Sequence, residues 1–383
     1  MTAKEAVRVT QREFEALVGG ALLKTVGKAA ENVALKKSKL VAKSAYLPLC
    51  GYTMYYHERE AAAVDGKVVD KKDQPTILFF HGISQKSEDF AMFVASLKIP
   101  PHIRVIAPEQ MGHGRDIERA RVDPDNYVQP THESMLKTTS EFLDVVQVGS
   151  NTNAFGVSLG GAVCYYLAHH RPDIIKRSVL VSPAILPCVD KGLVNGIQDG
   201  TNNFICFESR EDVKLLLRDL STGRDDTDRK KKDPVPKFFL ETVYRTSPQS
   251  RAPEGHYRAM LLSLLTNAGS TSGGTPECEP GNDDDRNSAG NVANPFLAAT
   301  DVDADAHRLV IWPEKDQIIN YEQGKQFFEV STTQEGKLMS TSRNTEFESI
   351  QNCGHVFDAN GKSIMDIIRP RVREYLLNFT KTV

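Results

Sequence analysis

Several features that would assign a protein to a specialised class are scarce in this sequence of 383 residues. Neither sign of charge dominates, because 47 lysine and arginine residues face 50 acidic residues and leave a net charge of -3. That balance, and the lack of a basic stretch interleaved with aromatic residues, argue against a nucleic-acid partner. The six cysteines show neither CxxC nor CxxH spacing, which argues against a zinc site or a disulfide framework and favours a reducing compartment.

Long apolar runs are also missing. The run Ala16–Leu23 near the N-terminus is far shorter than the roughly 20 residues that a membrane-spanning helix needs. Acidic residues precede it, which is unlike a cleaved signal or transit peptide: Glu5, Glu13 and Glu15. We therefore expect an intracellular protein without a transmembrane helix, either cytoplasmic or attached peripherally to a membrane.

Lysine dominates the segment from Lys24 to Lys43, which holds six lysines and one glutamate. Apolar residues recur through it at helical spacing, which predicts an amphipathic helix. One interpretation is a helix that lies on an anionic membrane surface, with residues 20–45 as the contact. The other is a helix that packs onto its own domain and leaves its lysines in solvent.

Short apolar runs rich in β-branched and aromatic residues alternate with helical patterns along most of the chain. This alternation predicts an α/β fold with a doubly wound, mostly parallel sheet that is covered on both faces. The predicted strands are TILFF (76–80), RVIAP (104–108), NAFGVS (153–158), RSVLVSPA (177–184), RLVIW (308–312) and TEFESI (345–350). Helices are predicted between them, including LGGAVCYYLAHH (159–170), one with Ser87 as its N-cap, and a last one beginning after Pro370.

The alternation stops after residue 184 and resumes near residue 303, which divides the chain into four parts. Residues 1–45 are the basic segment, residues 46–184 the first part of the core and residues 303–383 its second part. Residues 185–302 are interpreted as an inserted helical cap, because they contain helix-like patterns but do not continue the strand alternation. Within the cap, residues 268–293 are rich in Gly, Ser and Asp, which predicts a flexible loop.

The clearest chemical motif is FGVSLGG at residues 155–161. Ser158 lies at a predicted strand-to-helix junction, and Gly156 and Gly160 flank it two positions to either side. This pattern is typical of a nucleophile elbow, a tight turn that presents a serine hydroxyl above the edge of a sheet. Side chains at the two glycines would collide with the neighbouring strand and helix. We therefore predict that Ser158 is a nucleophile.

A nucleophilic serine needs a histidine to take its proton and a carboxylate to orient that histidine. Asp316 and His355 each follow a predicted strand, so both are expected at the carboxyl edge of the sheet, where a doubly wound fold has its active site. Glu314 and Asp190 are alternatives for the acid, and Asp316 is preferred. Three other histidines are predicted to be structural: His113, His169 and His170.

Acyl transfer also needs backbone N–H groups beside the attacked carbonyl. Two donors are expected, the amide of Leu159 at the start of the helix after the serine and the amide of Ile83 in the loop after the strand 76–80. His81 and Gly82 shape that loop, because a glycine suits a sharp backbone turn beside a substrate.

Together, the motifs FFHGISQ, PEQMGHGRD, GVSLGG, IWPEKDQII and NCGHV resemble the α/β-hydrolase superfamily from about residue 52 to the C-terminus. The stretch KFFLETVYRTSPQS in the cap is similar to the monoacylglycerol lipase branch, of the domain-containing-6 type. The resemblance implies a serine hydrolase with the triad Ser158, Asp316 and His355. It also implies that Ile83 and Leu159 are the oxyanion donors.

The same resemblance implies cleavage of acyl esters of glycerol and of lysophospholipids, without a metal or an organic cofactor. Members of that branch carry an N-terminal transmembrane helix, whereas this chain has the lysine-rich segment, so any membrane contact is expected to be peripheral. Three other reactions on the same triad stay open: carbon-carbon bond hydrolysis, thioester hydrolysis and acyl transfer. A ligand-binding protein without activity is the remaining alternative.

Overall fold

The fold is described from a computed structural model of the chain. The described residues are 28–67, 69–123, 127, 129–185, 188–189, 191–201, 209–220, 240–241, 243–244, 247, 252, 255–265, 307–329, 331–332, 338–339, 344–358 and 360–378. Among these residues, no helix is both long enough and apolar enough to cross a membrane. The predicted loop at 268–293 and most of the cap stretch at 237–250 lie outside them.

Eight strands form one central sheet. They are β1 (Val41–Leu47), β2 (Tyr52–Arg59), β3 (Thr76–Phe80), β4 (Arg104–Pro108), β5 (Thr152–Val157), β6 (Ile175–Val181), β7 (His307–Pro313) and β10 (Thr345–Ile350). A separate short pair, β8 (Ser331–Thr332) and β9 (Leu338–Met339), lies between β7 and β10 in the chain. The strand order across the sheet is β1-β2-β4-β3-β5-β6-β7-β10. The six strands from β4 to β10 in this order run parallel, and β1 and β2 are antiparallel to their neighbours at one edge.

Helices cover both faces of the sheet. They are α1 (residues 28–38), α2 (Ala91–Leu97), α3 (Asp116–Val122), α4 (His132–Val145), α5 (Leu159–His170), α6 (Lys191–Asp199), α7 (Arg210–Asp219), α8 (His256–Leu265), α9 (Tyr321–Glu329) and α10 (Ile364–Leu377). Every residue of β3 and β4 is buried, as expected for central parallel strands that are covered on both sides. The predicted doubly wound α/β fold is therefore confirmed.

Alternate residues of each strand point to opposite faces and divide the core in two. In β3, Leu78 and Phe80 join the cluster under α4, α5 and α9. Their neighbours Ile77 and Phe79 join the cluster under α1, α2 and α10. Burial on both faces fixes the strand register, because a slip of one residue would exchange the two sets of side chains.

The described part of the lysine-rich segment, from residue 28, folds as a helix and a strand rather than as one helix. Residues 28–38 form α1, which packs Ala34 into the core, and β1 starts at Val41. β1 crosses the predicted boundary at residue 45, so the core sheet begins within the segment assigned to the N-terminal part. The physical reason is backbone pairing, because β1 is bonded to β2 along its whole length.

Two helix boundaries differ from the predictions. Ser87 is not an N-cap but the first residue of a 3-10 turn, Ser87–Phe90, and its buried hydroxyl lies 2.9 Å from Nδ1 of His57. α10 begins before Pro370 and contains it. The helix tolerates the missing proline N–H because core side chains such as Ile368 hold it against the sheet.

Helices α6, α7 and α8 lie in the segment that was predicted to be a cap. α6 and α8 contact each other. α8 also contacts the loop after β4, where a Cβ added to Gly112 would lie 2.6 Å from Sδ of Met260. The absence of a side chain at Gly112 lets α8 approach the backbone at the carboxyl edge of the sheet, next to the predicted site.

Candidate active site

Ser158 occupies a strained turn between β5 and α5. Its φ of 53° and ψ of -118° are uncommon for a residue with a side chain. A Cβ on Gly156 would lie 2.2 Å from the carbonyl oxygen of Gly160, and a Cβ on Gly160 would lie 2.0 Å from the carbonyl oxygen of Phe80. Larger residues at either position would force β3, β5 and α5 apart. The turn has the geometry of a nucleophile elbow.

Asp316 and His355 meet where the parallel neighbours β7 and β10 end. Nδ1 of His355 lies 2.7 Å from Oδ2 of Asp316, and both side chains are buried. The other carboxylate oxygen, Oδ1, accepts hydrogen bonds from the N–H groups of Ile318 at 2.9 Å and Ile319 at 3.0 Å. A carboxylate held in this way keeps the histidine proton on Nδ1, which leaves Nε2 of His355 as a base.

An apolar pocket lies above the serine. The space beside its wall is about 490 Å³ when open solvent is included. Its wall includes Ser158 itself and also Ile318 and Ile319, whose N–H groups donate to Asp316. The lining residues are Ile83, His132, Ser158, Leu159, Ala184, Val189, Leu193, Ile197, Leu261, Leu264, Ile318 and Ile319. Burial lowers the pKa of His132 to about 4, so this part of the wall is uncharged at neutral pH.

The loop Gly82–Gln85 runs directly beside the serine. A Cβ on Gly82 would lie 3.6 Å from Cβ of Ser158. The N–H of Gly82 is already used, because it donates to Oε1 of Gln85 at 2.8 Å. Within the part of the chain that the structure describes, the N–H groups of Ile83 and Leu159 donate to no acceptor. These two amides can therefore bind a negatively charged oxygen.

His81 supports that loop from the core. It is fully buried, its Nδ1 donates to the carbonyl of Gly82 at 2.8 Å, and its Nε2 accepts from the N–H of Gln110 at 3.1 Å. Burial lowers the pKa of His81 to about 4, so the ring is neutral at pH 7. His81 and Gly82 were predicted from the sequence to shape this loop, whereas the contacts of Gln85 and Gln110 were not. Their only signal was their position in the motifs FFHGISQ and PEQMGHGRD.

The alternative acids are less well placed where the structure describes them. Glu314 is exposed, whereas Asp316 is buried against the histidine. An exposed side chain is a poor choice to orient a buried imidazole, because water competes for it. Asp190 lies outside the described residues.

The other histidines do not meet Asp316. His113 is fully buried with its ring centroid 5.0 Å from that of His81, and burial lowers its pKa to about 3. It packs behind the loop that contains Ile83. His169 and His170 are the last two residues of α5, at the end of the helix remote from the serine.

Residues 75–202 match the family model of the α/β hydrolase fold, which spans the serine turn and the loop beside it. The chain is similar to an uncharacterised protein of Mycobacterium tuberculosis, with 32% identity over 108 residues, which are 28% of this chain and 29% of the relative. It is also similar to a bifunctional esterase/perhydrolase of Acinetobacter calcoaceticus, with 33% identity over 125 residues, which are 31% of this chain and 40% of the relative. The chain thus matches less than half the length of these curated relatives.

The similarity to solved structures covers much more of the chain. A candidate lipase of Acinetobacter baumannii superposes over 92% of this chain and 96% of its own, with a TM-score of 0.60 and 16% identity. At that identity the superposition establishes the fold and nothing finer. The family match over residues 75–202, the parallel sheet and the strained serine turn agree with it, and the chain has the α/β-hydrolase fold.

Proposed function

We propose that the protein is a serine hydrolase that cleaves carboxylic esters of lipids, with Ser158 as nucleophile, His355 as base and Asp316 as orienting acid. The observation that carries the proposal is the 2.7 Å contact between Asp316 and His355, next to residues that line the pocket with the strained serine. A buried carboxylate is costly unless it is paired. One oxygen of Asp316 is bound by two backbone N–H groups, and the other orients His355. The names of two similar proteins, an esterase/perhydrolase and a candidate lipase, support the same class of reaction.

The first half of the reaction transfers the acyl group to the enzyme. Oγ of Ser158 attacks the ester carbonyl carbon while Nε2 of His355 takes the hydroxyl proton, and Asp316 stabilises the resulting imidazolium. The N–H groups of Ile83 and Leu159 bind the negative carbonyl oxygen. The ester C–O bond then breaks, His355 returns its proton to the leaving alcohol, and the acyl group stays on the serine.

The second half releases the acid. A water molecule attacks the acyl-enzyme carbonyl and gives its proton to Nε2 of His355. The same two amides bind the second tetrahedral intermediate. When that intermediate collapses, the bond to Ser158 breaks and the proton returns to its Oγ. One ester and one water become one acid and one alcohol, with no change of oxidation state.

The pocket wall supports a lipid as substrate. α6 contributes Leu193 and Ile197, and α8 contributes Leu261 and Leu264, so an acyl chain would be surrounded by aliphatic side chains. Each buried CH₂ group contributes about 0.8 kcal/mol. The apolar wall suits a single acyl chain, and we therefore propose monoacylglycerols as substrates, with lysophospholipids as a second class. The segment 185–302 would act as the cap that selects the chain.

We also propose that α1 brings the protein to an anionic lipid surface. Its outer face exposes Lys36 and Lys37 beside Val33, which is 50% exposed. The acidic residue of this helix, Glu31, is instead paired with Lys86 at 2.8 Å. The outer face therefore carries positive charge, and each lysine near an anionic membrane contributes about 1 kcal/mol.

Vesicle flotation tests the membrane contact. The variant Lys36→Glu/Lys37→Glu is expected to lose binding to phosphatidylserine-containing vesicles that the unchanged protein binds. A matched control reverses two exposed lysines elsewhere, Lys72→Glu/Lys362→Glu, and should bind as before. Equal binding by both double variants would contradict a role for α1.

The central experiment measures fatty-acid release from monoacylglycerols of increasing chain length, with a short soluble ester in parallel and Ser158→Ala as the control. Hydrolysis of long chains that disappears in the variant is expected. Activity on the short ester alone would keep the serine hydrolase but overturn the lipid assignment. An inactive protein whose Ser158 is not labelled by a fluorophosphonate would overturn the enzymatic proposal.

A further inference from the structure

Two consecutive peptide groups lead from β3 to the amide of Ile83, and side chains hold both of them. The peptide between His81 and Gly82 is held at its carbonyl by Nε2 of Gln110 and at its N–H by Oε1 of Gln85. The next peptide, between Gly82 and Ile83, is held at the Gly82 carbonyl. That oxygen accepts from Nδ1 of His81 at 2.8 Å and from the N–H of Gln85 at 3.3 Å.

The planarity of the peptide group turns these contacts into control of the Ile83 amide. The carbonyl of Gly82 and the N–H of Ile83 belong to one planar unit and point in opposite directions. Holding the carbonyl oxygen from two sides therefore fixes the direction of the N–H. This amide is one of the two donors that the proposed mechanism assigns to the oxyanion.

His81 can hold the Gly82 carbonyl only as the tautomer with its proton on Nδ1. Nε2 accepts the N–H of Gln110 at 3.1 Å, so this nitrogen carries no proton. The ring lies in a fully buried site against His113, and burial keeps it uncharged at neutral pH. Both ring nitrogens thus have backbone partners that define the tautomer.

We propose that His81 and Gln85 are positioning residues that preset the N–H of Ile83 for the oxyanion before substrate binds. The inference rests on the proposed function, because an oxyanion forms only if the protein transfers acyl groups. Both residues act through the backbone rather than by touching substrate. A preset donor stabilises the transition state more than the bound substrate, so its loss lowers kcat and leaves KM nearly unchanged.

The test compares paired variants on a short soluble ester. In His81→Asn the side-chain amide nitrogen can take the place of Nδ1, whereas His81→Ala removes the donor. We expect His81→Ala to lower kcat about a hundredfold, as for loss of one oxyanion donor, and His81→Asn to recover about tenfold of that loss. Gln85→Ala should lower kcat about fivefold to tenfold with KM unchanged, because it removes the side-chain acceptor that holds the Gly82 N–H in the preceding peptide.

Conservative and remote variants separate positioning from general damage. Gln85→Glu keeps an oxygen acceptor for the Gly82 N–H and should retain most of the activity. Gln326→Ala removes another exposed glutamine, on α9, and should match the unchanged protein. Because Gln85 is itself exposed, its variants should fold even if His81→Ala does not.

Imidazole ¹⁵N NMR gives a readout that does not need turnover. A proton on Nδ1 and a bare Nε2 are expected for His81. A proton on Nε2, or a folded Gln85→Ala with unchanged kcat, would overturn the positioning role. An unchanged protein that hydrolyses no ester would instead overturn the proposed function, and the NMR result would still decide how the loop is held.

Discussion

Nε2 of His256, the first residue of α8, donates a hydrogen bond to the carbonyl of Gly112, 3.0 Å away in the loop after β4. Met260, one turn further along the same helix, packs against Gly112 itself. The same loop contains Gln110, which holds His81. A helix that lines the pocket is thus hydrogen-bonded to the loop that supports the proposed oxyanion donor.

Replacing His256 by alanine is expected to loosen α8 and the part of the pocket wall that it forms. Loss of one partner of a buried hydrogen bond costs about 1–3 kcal/mol. The KM for a long-chain monoacylglycerol should rise about tenfold, equivalent to about 1.4 kcal/mol of binding, while a short soluble ester is cleaved nearly as before. His102→Ala, an exposed histidine, is the control. Equal losses on both esters would argue against a role in chain binding.

Replacing Asp316 by asparagine is expected to keep the fold and abolish most of the activity. An amide at this position would present a donor to His355 and favour the wrong tautomer, which costs about 10⁴-fold in kcat where such a change has been made in a triad. Steady-state kinetics on a short ester would measure the loss, and thermal unfolding would establish that the variant is folded. Glu314→Gln is the matched control and should remain active. An inactive Glu314→Gln beside an active Asp316→Asn would instead identify Glu314 as the acid.

Replacing Gly160 by alanine is expected to destabilise the protein strongly. The added Cβ would lie 2.0 Å from the carbonyl oxygen of Phe80, so strand and helix must separate. Overpacking of this kind costs about 3 kcal/mol or more. Gly51→Ala is the control, because Gly51 has a φ of 58° but no atom within 4 Å of the new Cβ. It should cost only the roughly 1–2 kcal/mol of a left-handed backbone. Equal urea-unfolding free energies for the two variants would contradict the steric explanation.

Stability is expected to fall as the pH is lowered from about 7 to about 5. Burial lowers the pKa of His81 and His132 to about 4 and that of His113 to about 3, so each takes up a proton on unfolding once the pH approaches the ordinary value of 6.5. Burial raises the pKa of Glu109 to about 7 and that of Asp89 to about 6, so these two carboxyls bind protons in the folded state and oppose the trend. Net proton uptake on unfolding lowers stability by about 1.4 kcal/mol per pH unit for each proton.

Urea unfolding at several pH values would measure this slope. Glu109→Gln removes one of the two opposing carboxyls and should make the fall steeper. A stability that stays constant or rises as the pH decreases would show that the three buried histidines do not dominate.

Local sequence pattern was sufficient for the elements that are buried in the centre of the sheet. β3, β4 and α5 have the predicted boundaries, because continuous burial leaves a clear apolar pattern. β1 and β2 were missed. In β1 only Leu47 is buried, so its sequence carries little apolar alternation, and the strand owes its existence to hydrogen bonds with β2.

The candidate site divides in a similar way. Ser158 with its flanking glycines is visible as a motif, because a strained turn restricts residues that are adjacent in the chain. The contact of His81 with Gln110 is not visible, because it forms only when β3 and β4 become parallel neighbours. The hydrogen bond from the N–H of Gly82 to Oε1 of Gln85 joins residues close in the chain, but nothing in the sequence shows that this side chain turns back onto the backbone.

The amino-acid sequence by itself determined the alternation of strands and helices, the glycine-flanked serine, and the chain order of serine, acid and histidine. These features depend on steric limits and apolar periodicity among residues close in sequence. Only the tertiary structure decided that Asp316 faces His355 rather than solvent and that two glutamines hold the loop before Ile83. It also decided that α6 and α8 close an apolar pocket over the serine. Those relationships join residues far apart in the chain, and strand pairing and burial bring them within hydrogen-bonding distance.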